Sequence, residues 1–441
     1  MGSIAKFFVK VNERYLPDPF LFAIVLTVVT FILSLIFTSA GVLGTLNAWG
    51  NGIWALLAFT AQMASIMVFA YAFARTEIIE KGLRALCNKI KTPSQAYFVI
   101  SFTAAVISWL CWPAGLICGA FMAKEMAKRI RGIHYPLLVA AAYSGFLIFQ
   151  LGLTGSVSLL SATPGNFAES IVGIVPVSLT MFAPWNLFTA VLIGLIVVPF
   201  MMMKMAPKPS EVVELDTSTI TETPKLPKIE KKGMKPNEIL ENSYFCNLII
   251  GGGLGIYLIL HFIGGGSLTI NSTNLIFVIL GILLTPTPVQ YVRNCFEGAS
   301  TVGGVIMQFP LYAGIQGMML TTGLASVIAG WFVAISTPMT FPLWSFISAG
   351  LINMFIPSGG SQWAVQGPIM LQAAVELGAD IPRVIQAVAY GDNWTNMIQP
   401  FWALPLLAVA GMKAKDIMGY LVLVLLVSGV IFGGVLVFWP Y

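Results

Sequence analysis

The sequence predicts an all-α polytopic membrane protein, and three observations carry that prediction. Of its 441 residues, 57% are hydrophobic and only 9% are charged, against about 25% charged in an ordinary soluble domain. Mean hydropathy is +0.87. The apolar residues form long continuous runs rather than alternating ones, which excludes an outer-membrane barrel. Most basic residues lie at the ends of these runs or in one polar segment, so topology accounts for the net charge of +5 and no nucleic-acid partner is expected. Cys87, Cys111, Cys118, Cys246 and Cys295 lack metal-ligand spacing. His134 and His261 are far apart, and no nucleophile–base pair is visible. Neither an enzyme nor a resident cofactor is expected; the only ion implied is a coupling Na+ or H+.

The elements follow from loop charge. Lys6, Lys10 and Arg14 put the N-terminus on the cytoplasmic side and lead into a full span at 20–37, so no cleavable leader is expected. An uncharged exterior loop runs to Gly52, and a second span, 53–74, returns. The segment 75–91 is amphipathic and reads as a helix lying at the interface. The apolar stretch 96–122 is broken at Cys111-Trp112-Pro113-Ala114-Gly115 and has basic residues on both flanks, Lys89 and Lys91 before it, Lys124, Lys128, Arg129 and Arg131 after. If both flanks are cytoplasmic, each arm has about 13 residues, against the ~20 a spanning helix needs. The stretch therefore reads as a re-entrant hairpin whose tip is buried in protein or lines a cavity. One proline-kinked span is the alternative, but it leaves one basic flank outside. A crossing at 135–161 is interrupted at Gly152-Leu153-Thr154-Gly155-Ser156, and a span at 185–203 follows.

Residues 204–243, rich in Lys, Glu, Pro and Thr, read as a flexible cytoplasmic linker. They divide the chain into a first membrane repeat, 1–203, and a region 244–441 holding a linking span and a second repeat. Spans are expected at 245–262, 274–292 and 302–320, with a second interfacial helix at 324–335. A second hairpin at 341–377 bends at Pro357-Ser358-Gly359-Gly360-Ser361. A crossing at 383–411 is interrupted between Gly391 and Pro400, and a last span covers 417–439. Arg383 falls on the wrong side for its charge, with Asp380 and Glu376 nearby.

The two halves are weakly similar. Ser101, Phe102, Ala105, Pro113, Gly115 and Ala120 align at one offset with Ser345, Phe346, Ala349, Pro357, Gly359 and Ala364. The first repeat crosses four times and the span at 245–262 adds a fifth, so the second repeat is inverted, giving about nine full crossings. Inverted repeats with interrupted helices point to a secondary transporter with its site near the midplane.

The second hairpin tip is the best anion site. Gly359 and Gly360 let backbone N–H groups approach a ligand. Ser358 and Ser361 add hydroxyls, Gln362 and Gln366 add amides, and the following half-helix adds its positive end. The plain reading of the same glycines and serines is a tight turn. In the second broken helix Asp392 is the one acid expected deep in the bilayer, the kind of residue that marks an ion pathway. Asn393 and Thr395 join it as coupling candidates, and Asn396 and Gln399 as substrate candidates. These side chains can equally satisfy backbone freed at the break. Thr154, Ser156, Thr163 and Asn166 are the counterpart in the first half. Trp112 and Pro113 at the first tip offer an apolar wall for a short alkyl tail. No Arg or Lys is expected in either core, which disfavours di- and tricarboxylates.

Several stretches together resemble the bacterial short-chain fatty acid transporter family, which takes up acetoacetate and butyrate. They are Leu16-Pro17-Asp18-Pro19, Trp54-Ala55-Leu56-Leu57-Ala58-Phe59, Ala162-Thr163-Pro164-Gly165-Asn166, Gln308-Phe309-Pro310, Tyr312-Ala313-Gly314-Ile315-Gln316, Pro357-Ser358-Gly359-Gly360, Gln366-Gly367-Pro368 and Gln399-Pro400-Phe401-Trp402-Ala403-Leu404-Pro405. The linker carries none of the resemblance. It implies membership of the ion-transporter superfamily of elevator carriers, usually homodimers with a moving domain on a fixed scaffold. The implied function is ion-coupled transport of short-chain monocarboxylates across the bacterial inner membrane. A passive channel for small carboxylates is the alternative.

Overall fold

A computed structural model describes residues 19–215, 234–354, 356–399 and 401–440. Lys6, Lys10, Arg14, most of the 16–19 motif, the middle of the 204–243 linker and Pro400 lie outside them. Among the described residues every regular element is a helix.

The chain opens with α1 (Pro19–Phe37), α2 (Gly41–Gly52) and α3 (Leu57–Ala74), then α4 (Glu77–Lys89). The region expected as an uncharged loop up to Gly52 is thus a helix. Its glycines suggest a loop, but Gly52 serves close packing. A Cβ on Gly52 would stand 2.9 Å from the Ala313 carbonyl and the Gly317 Cα, so side chains there would push two helices apart. α4 is a helix where an amphipathic one was expected. Arg75 anchors its start, pairing with Glu80 at 3.3 Å and Glu297 at 3.7 Å.

The first hairpin is α5 (Pro93–Leu110) and α6 (Trp112–Ala127), bent at Cys111. Thr92 caps α5 through the Gln95 N–H, with Pro93 in the first turn, where its missing N–H costs nothing. The arms lie side by side: across the bend, a Cβ on Gly115 would overlap Ser108. The entry and exit of the hairpin also meet, because the His134 N–H donates to the Tyr97 hydroxyl at 2.7 Å. The arms are longer than expected, 18 and 16 residues.

α7 (Tyr135–Ser144) tightens into a 3-10 turn, Gly145–Leu151, then breaks before α8 (Ser156–Ser161). Gly152 makes the break possible, since a Cβ there would overlap the Trp109 carbonyl. α9 (Pro184–Lys204) follows, with a π-type stretch, Val191–Val197, just before Pro199 removes a donor.

In the second half come α10 (Tyr244–Ile263), α11 (Ile270–Leu283), α12 (Pro288–Ala299), α13 (Gly303–Thr321) and α14 (Leu324–Ile335). The single span expected at 274–292 is two helices. Pro286 and Pro288 push the residues before them out of helical conformation, and Thr287 caps α12 through the Gln290 N–H. α13 and α14 meet at 74°, turned by Gly323 at φ 82. The second hairpin is α15 (Phe341–Asn353) and α16 (Gly359–Leu377). The second broken helix is α17 (Ile381–Thr395) and α18 (Ala403–Ala410), and α19 (Ala414–Phe438) closes the chain. The break after α17 begins at Asn396, later than the expected Gly391. Gly391 stays helical and lets α17 press onto α15; a Cβ there would be 2.5 Å from the Phe346 carbonyl.

Packing sorts the helices into two bundles. α1–α3 and α10–α13 form the first. Both hairpins, both broken helices, α9 and α19 form the second. α4 and α14 lead from one to the other, α4 against α6 and α14 against α16. Among the described residues six helices are long and apolar enough to cross a membrane, or seven if the bent α13–α14 pair is one span. The chain is a multi-pass membrane protein.

Candidate functional site

The two bends and the two breaks meet inside the second bundle, around Gln150 and Asp392. Gln150 sits at the end of the 3-10 turn, fully buried. Its Nε2 donates to Asp392 Oδ2 at 3.1 Å and to Ser156 Oγ at 3.1 Å. Its Oε1 accepts from the Val157 N–H at 3.4 Å. A Cβ on Gly359 would overlap that Nε2 and come within 3.1 Å of Ser156 Oγ. Gly359 therefore brings the bare backbone of the second tip against the first broken helix.

Asp392 is fully buried in α17. The Asn396 amide also approaches its Oδ2, at 3.4 Å, while its Oδ1 has no partner. Asn353, the last residue of α15, donates to the Asp392 carbonyl (2.9 Å), Thr395 Oγ1 (3.0 Å) and Asn396 Oδ1 (2.8 Å). Tyr143 fixes the same corner by donating to the Asn396 carbonyl at 2.9 Å. Besides Asp392 Oδ1, the side-chain oxygens of Asn353, Asn393 and Gln362 are buried without a partner. Buried acceptors left unpaired are uncommon in folded proteins.

The second tip carries its expected donors. Ser358 holds the N-cap position of α16 without a side-chain capping bond, and Ser361 Oγ lies 3.4 Å from Ser358 Oγ. The first-turn N–H groups, Gly359 to Ser361, have no acceptor within their own helix. Gln362 and Gln366 are spent on the hairpin itself: Gln362 donates to the Ala349 carbonyl and to Gln366, and Gln366 to Ser348. Gln399 accepts from the Phe401 N–H, a local turn contact.

The first tip joins the cluster from its apolar side. The Trp112 N–H donates to Thr154 Oγ1 at 3.1 Å, so bend and break are tied, and Pro113 is buried in the first turn of α6. Thr163 and Asn166 do not join. Thr163 bonds the Leu159 carbonyl and the Ile270 N–H, and Asn166 bonds the Thr163 carbonyl and the Ala168 N–H. Both shape the turn after α8.

Sequence reasoning missed Gln150, Asn353, Asn186 and Gln386. Asn186 in α9 holds the Leu151 and Met181 carbonyls and accepts from Gln386 and Tyr390, while Ser158 donates to Gln386 at 2.6 Å. Gln150 and Asn353 are amides in apolar stretches beside a break or bend, and that was the available signal. Arg383 corrects the expectation of no buried cation. It is 3% exposed, but its guanidinium donates to the Trp439 and Pro440 carbonyls. Along α17 it stands about 13 Å from Asp392 at 1.5 Å per residue.

The second tip also faces the first bundle. A Cβ on Gly360 would meet the Phe59 ring at 2.5 Å, and Phe59 stacks on Phe309 at 5.7 Å.

Comparison with known proteins agrees with this architecture. Two solved transporters share the fold. The Neisseria gonorrhoeae MtrF protein, described as representing a class of antimetabolite efflux pumps, aligns with a TM-score of 0.57 at 15% identity, covering 99% of this chain and 97% of that one. The Alcanivorax borkumensis YdaH transporter aligns with a TM-score of 0.58 at 14% identity, covering 95% and 98%. An Escherichia coli relative named as a candidate short-chain fatty acid transporter is 44% identical over 434 residues, 98% of each chain. A Haemophilus influenzae relative of the same description is 39% identical over 440 residues, again 98% of each. The family model for short chain fatty acid transporters matches residues 1–439. The chain belongs to the short-chain fatty acid transporter family.

Proposed function

We propose that this protein is a secondary active carrier of short-chain monocarboxylates, butyrate and acetoacetate among them, in the bacterial inner membrane. The observation that carries the proposal is Gln150, which joins Asp392 to the tip at Gly359. A carboxylate seated there would meet the first-turn N–H groups of α16, Ser358, Ser361 and the helix's positive end. Ser156 and Asn396 would complete the polar side, with Trp112, Pro113 and Thr154 facing the tail. Gln362, Gln366, Gln399, Thr163 and Asn166 act by holding the tips and breaks in shape. Every donor at the tip is neutral or a partial charge, which suits one carboxylate better than two or three.

Coupling is assigned to Asp392 with Asn393 and Thr395. Buried oxygens without donors are what a proton or a hard cation needs, so the driving ion is H+ or Na+. The second bundle is the moving domain and the first bundle the scaffold and homodimer contact, an elevator built from two inverted repeats, 1–203 and 244–441, with about nine crossings. The region 204–243 links them on the cytoplasmic face. In support, α3, α4, hairpin and broken helix recur in the same order as α13, α14, hairpin and broken helix.

The test is counterflow of radiolabelled butyrate in proteoliposomes, with and without Na+ at fixed pH. Saturable trans-stimulated exchange is expected. Linear flux without trans-stimulation would favour a passive carboxylate channel and end the carrier reading.

A further inference from the structure

Four aromatic rings bridge the two bends. Trp112 opens α6 just past the first bend, and its ring lies 4.9 Å from that of Trp402, 6.0 Å from Phe146 and 6.0 Å from Phe149. Phe146 is 4.4 Å from Phe149 and 6.2 Å from Trp402. Trp402 sits just past the second break, and its indole N–H is used up on the Pro357 carbonyl at 2.7 Å, in the second bend. The rings therefore turn apolar faces and edges to one another. The cluster begins where the polar one stops: Phe149 precedes Gln150, and Tyr143 both stacks on Phe146 at 5.8 Å and bonds the Asn396 carbonyl. One side is open. Trp112 and Phe149 are each 5% exposed, whereas Trp402 and its neighbour Phe401 are only half-buried.

An amphiphile with a charged head and a short acyl tail needs this pairing of surfaces. We propose that Trp112, Phe146, Phe149 and Trp402 form the wall that receives the alkyl tail, and that Phe149 and Trp402 set the longest chain accepted. The inference rests on the carrier reading above and adds the specificity-determining residues. Rigid rings cannot retract to admit another methylene, and close-packed walls discriminate by volume. One methylene in such a pocket changes selectivity by roughly 10-fold or more.

The test is competition of unlabelled acetate, propionate, butyrate, valerate and hexanoate against butyrate counterflow, in wild type, Phe149→Leu, Phe149→Ala and Trp402→Phe. The ratio of hexanoate to butyrate potency is independent of how much protein folds, and the mild Phe149→Leu guards against loss of the alanine variant. Expected is a rise of roughly 10-fold in that ratio for Phe149→Ala, a smaller rise for Phe149→Leu, and a shift for Trp402→Phe, which keeps a ring but frees the Pro357 carbonyl. Potencies that fall together at every chain length would show that the cluster only packs the bends, and would overturn the wall alone. A wild type with no counterflow for any of these acids would overturn the carrier reading itself, and the wall with it.

Discussion

Gln150 is the residue on which the cluster depends. Its amide serves Asp392 and Ser156 while Gly359 presses on it. Gly359→Ala is expected to destabilise the protein by about 1–3 kcal/mol, the usual cost of overpacking. Adding Gln150→Ala should recover thermal stability without recovering uptake, measured by melting of the purified protein and butyrate flux side by side. Asp392→Asn removes the ionisable group but keeps the shape. Exchange of butyrate for butyrate is then expected to persist, while uphill uptake driven by an H+ or Na+ gradient falls at least roughly 10-fold, a barrier change of about 1.4 kcal/mol. At this scale the sequence was only half legible. Asp392 announced itself as an acid in an apolar run. Gln150, Asn353 and Asn186 are neutral, and neutral amides in membrane helices carry less solvation cost and so less warning. Their partners lie in other elements, which no local pattern reveals.

Among elements, the segment after α9 has a job that composition hid. It straps the ends of the first hairpin. Val213 donates its N–H to His134 Nδ1 at 3.0 Å, and its carbonyl accepts from the Tyr135 N–H at 2.9 Å. His134 Nε2 faces the Tyr420 hydroxyl at 2.9 Å, and Glu214 accepts from the Gly132 N–H. The strap forms one wall of an open pocket of about 670 Å³, with Pro93, Tyr97 and Gly132 on the other. The Nδ1 atom accepts only while it is unprotonated. Burial holds the His134 pKa below its usual value of 6.5, with Glu211 opposing in part. The folded state therefore binds its proton less readily than the unfolded chain. The contribution is fully present above pH 6.5 and is lost as pH falls through the lower folded value. Hydrogen exchange at Val213, corrected for intrinsic rate, should accelerate on acidification below 6.5. In His134→Phe it should be fast both above and below pH 6.5. Helix order and both bends were legible because prolines, glycines and charge mark them. α2 was not, because glycines that allow close packing and glycines that allow turns are the same letter.

For the whole molecule, the two bundles meet directly where α13 packs on α16 and α3 on α6, and α4 and α14 lead from one to the other. An elevator requires the second bundle to travel past the first. In a chain with its five cysteines replaced, cysteines at positions 59 and 360 joined by a cleavable bifunctional thiol reagent should stop net butyrate uptake. Cleaving the linker should restore it. Undiminished flux in the joined protein would mean that no such travel is needed. The sequence separated hairpins and broken helices from the remaining spans, but not the placement of α9 and α19 with the hairpins, since burial on a lipid face and burial on a protein face use the same apolar residues. Where Phe59 lies against Gly360 the tip of the ring points end-on into the gap that the missing side chain leaves. Helices elsewhere lock ridge into groove and must separate before they can shift. Here the tooth is a single ring on two side-chain torsions, so this stretch of the seam can unlatch by a rotamer change without first opening to lipid or water.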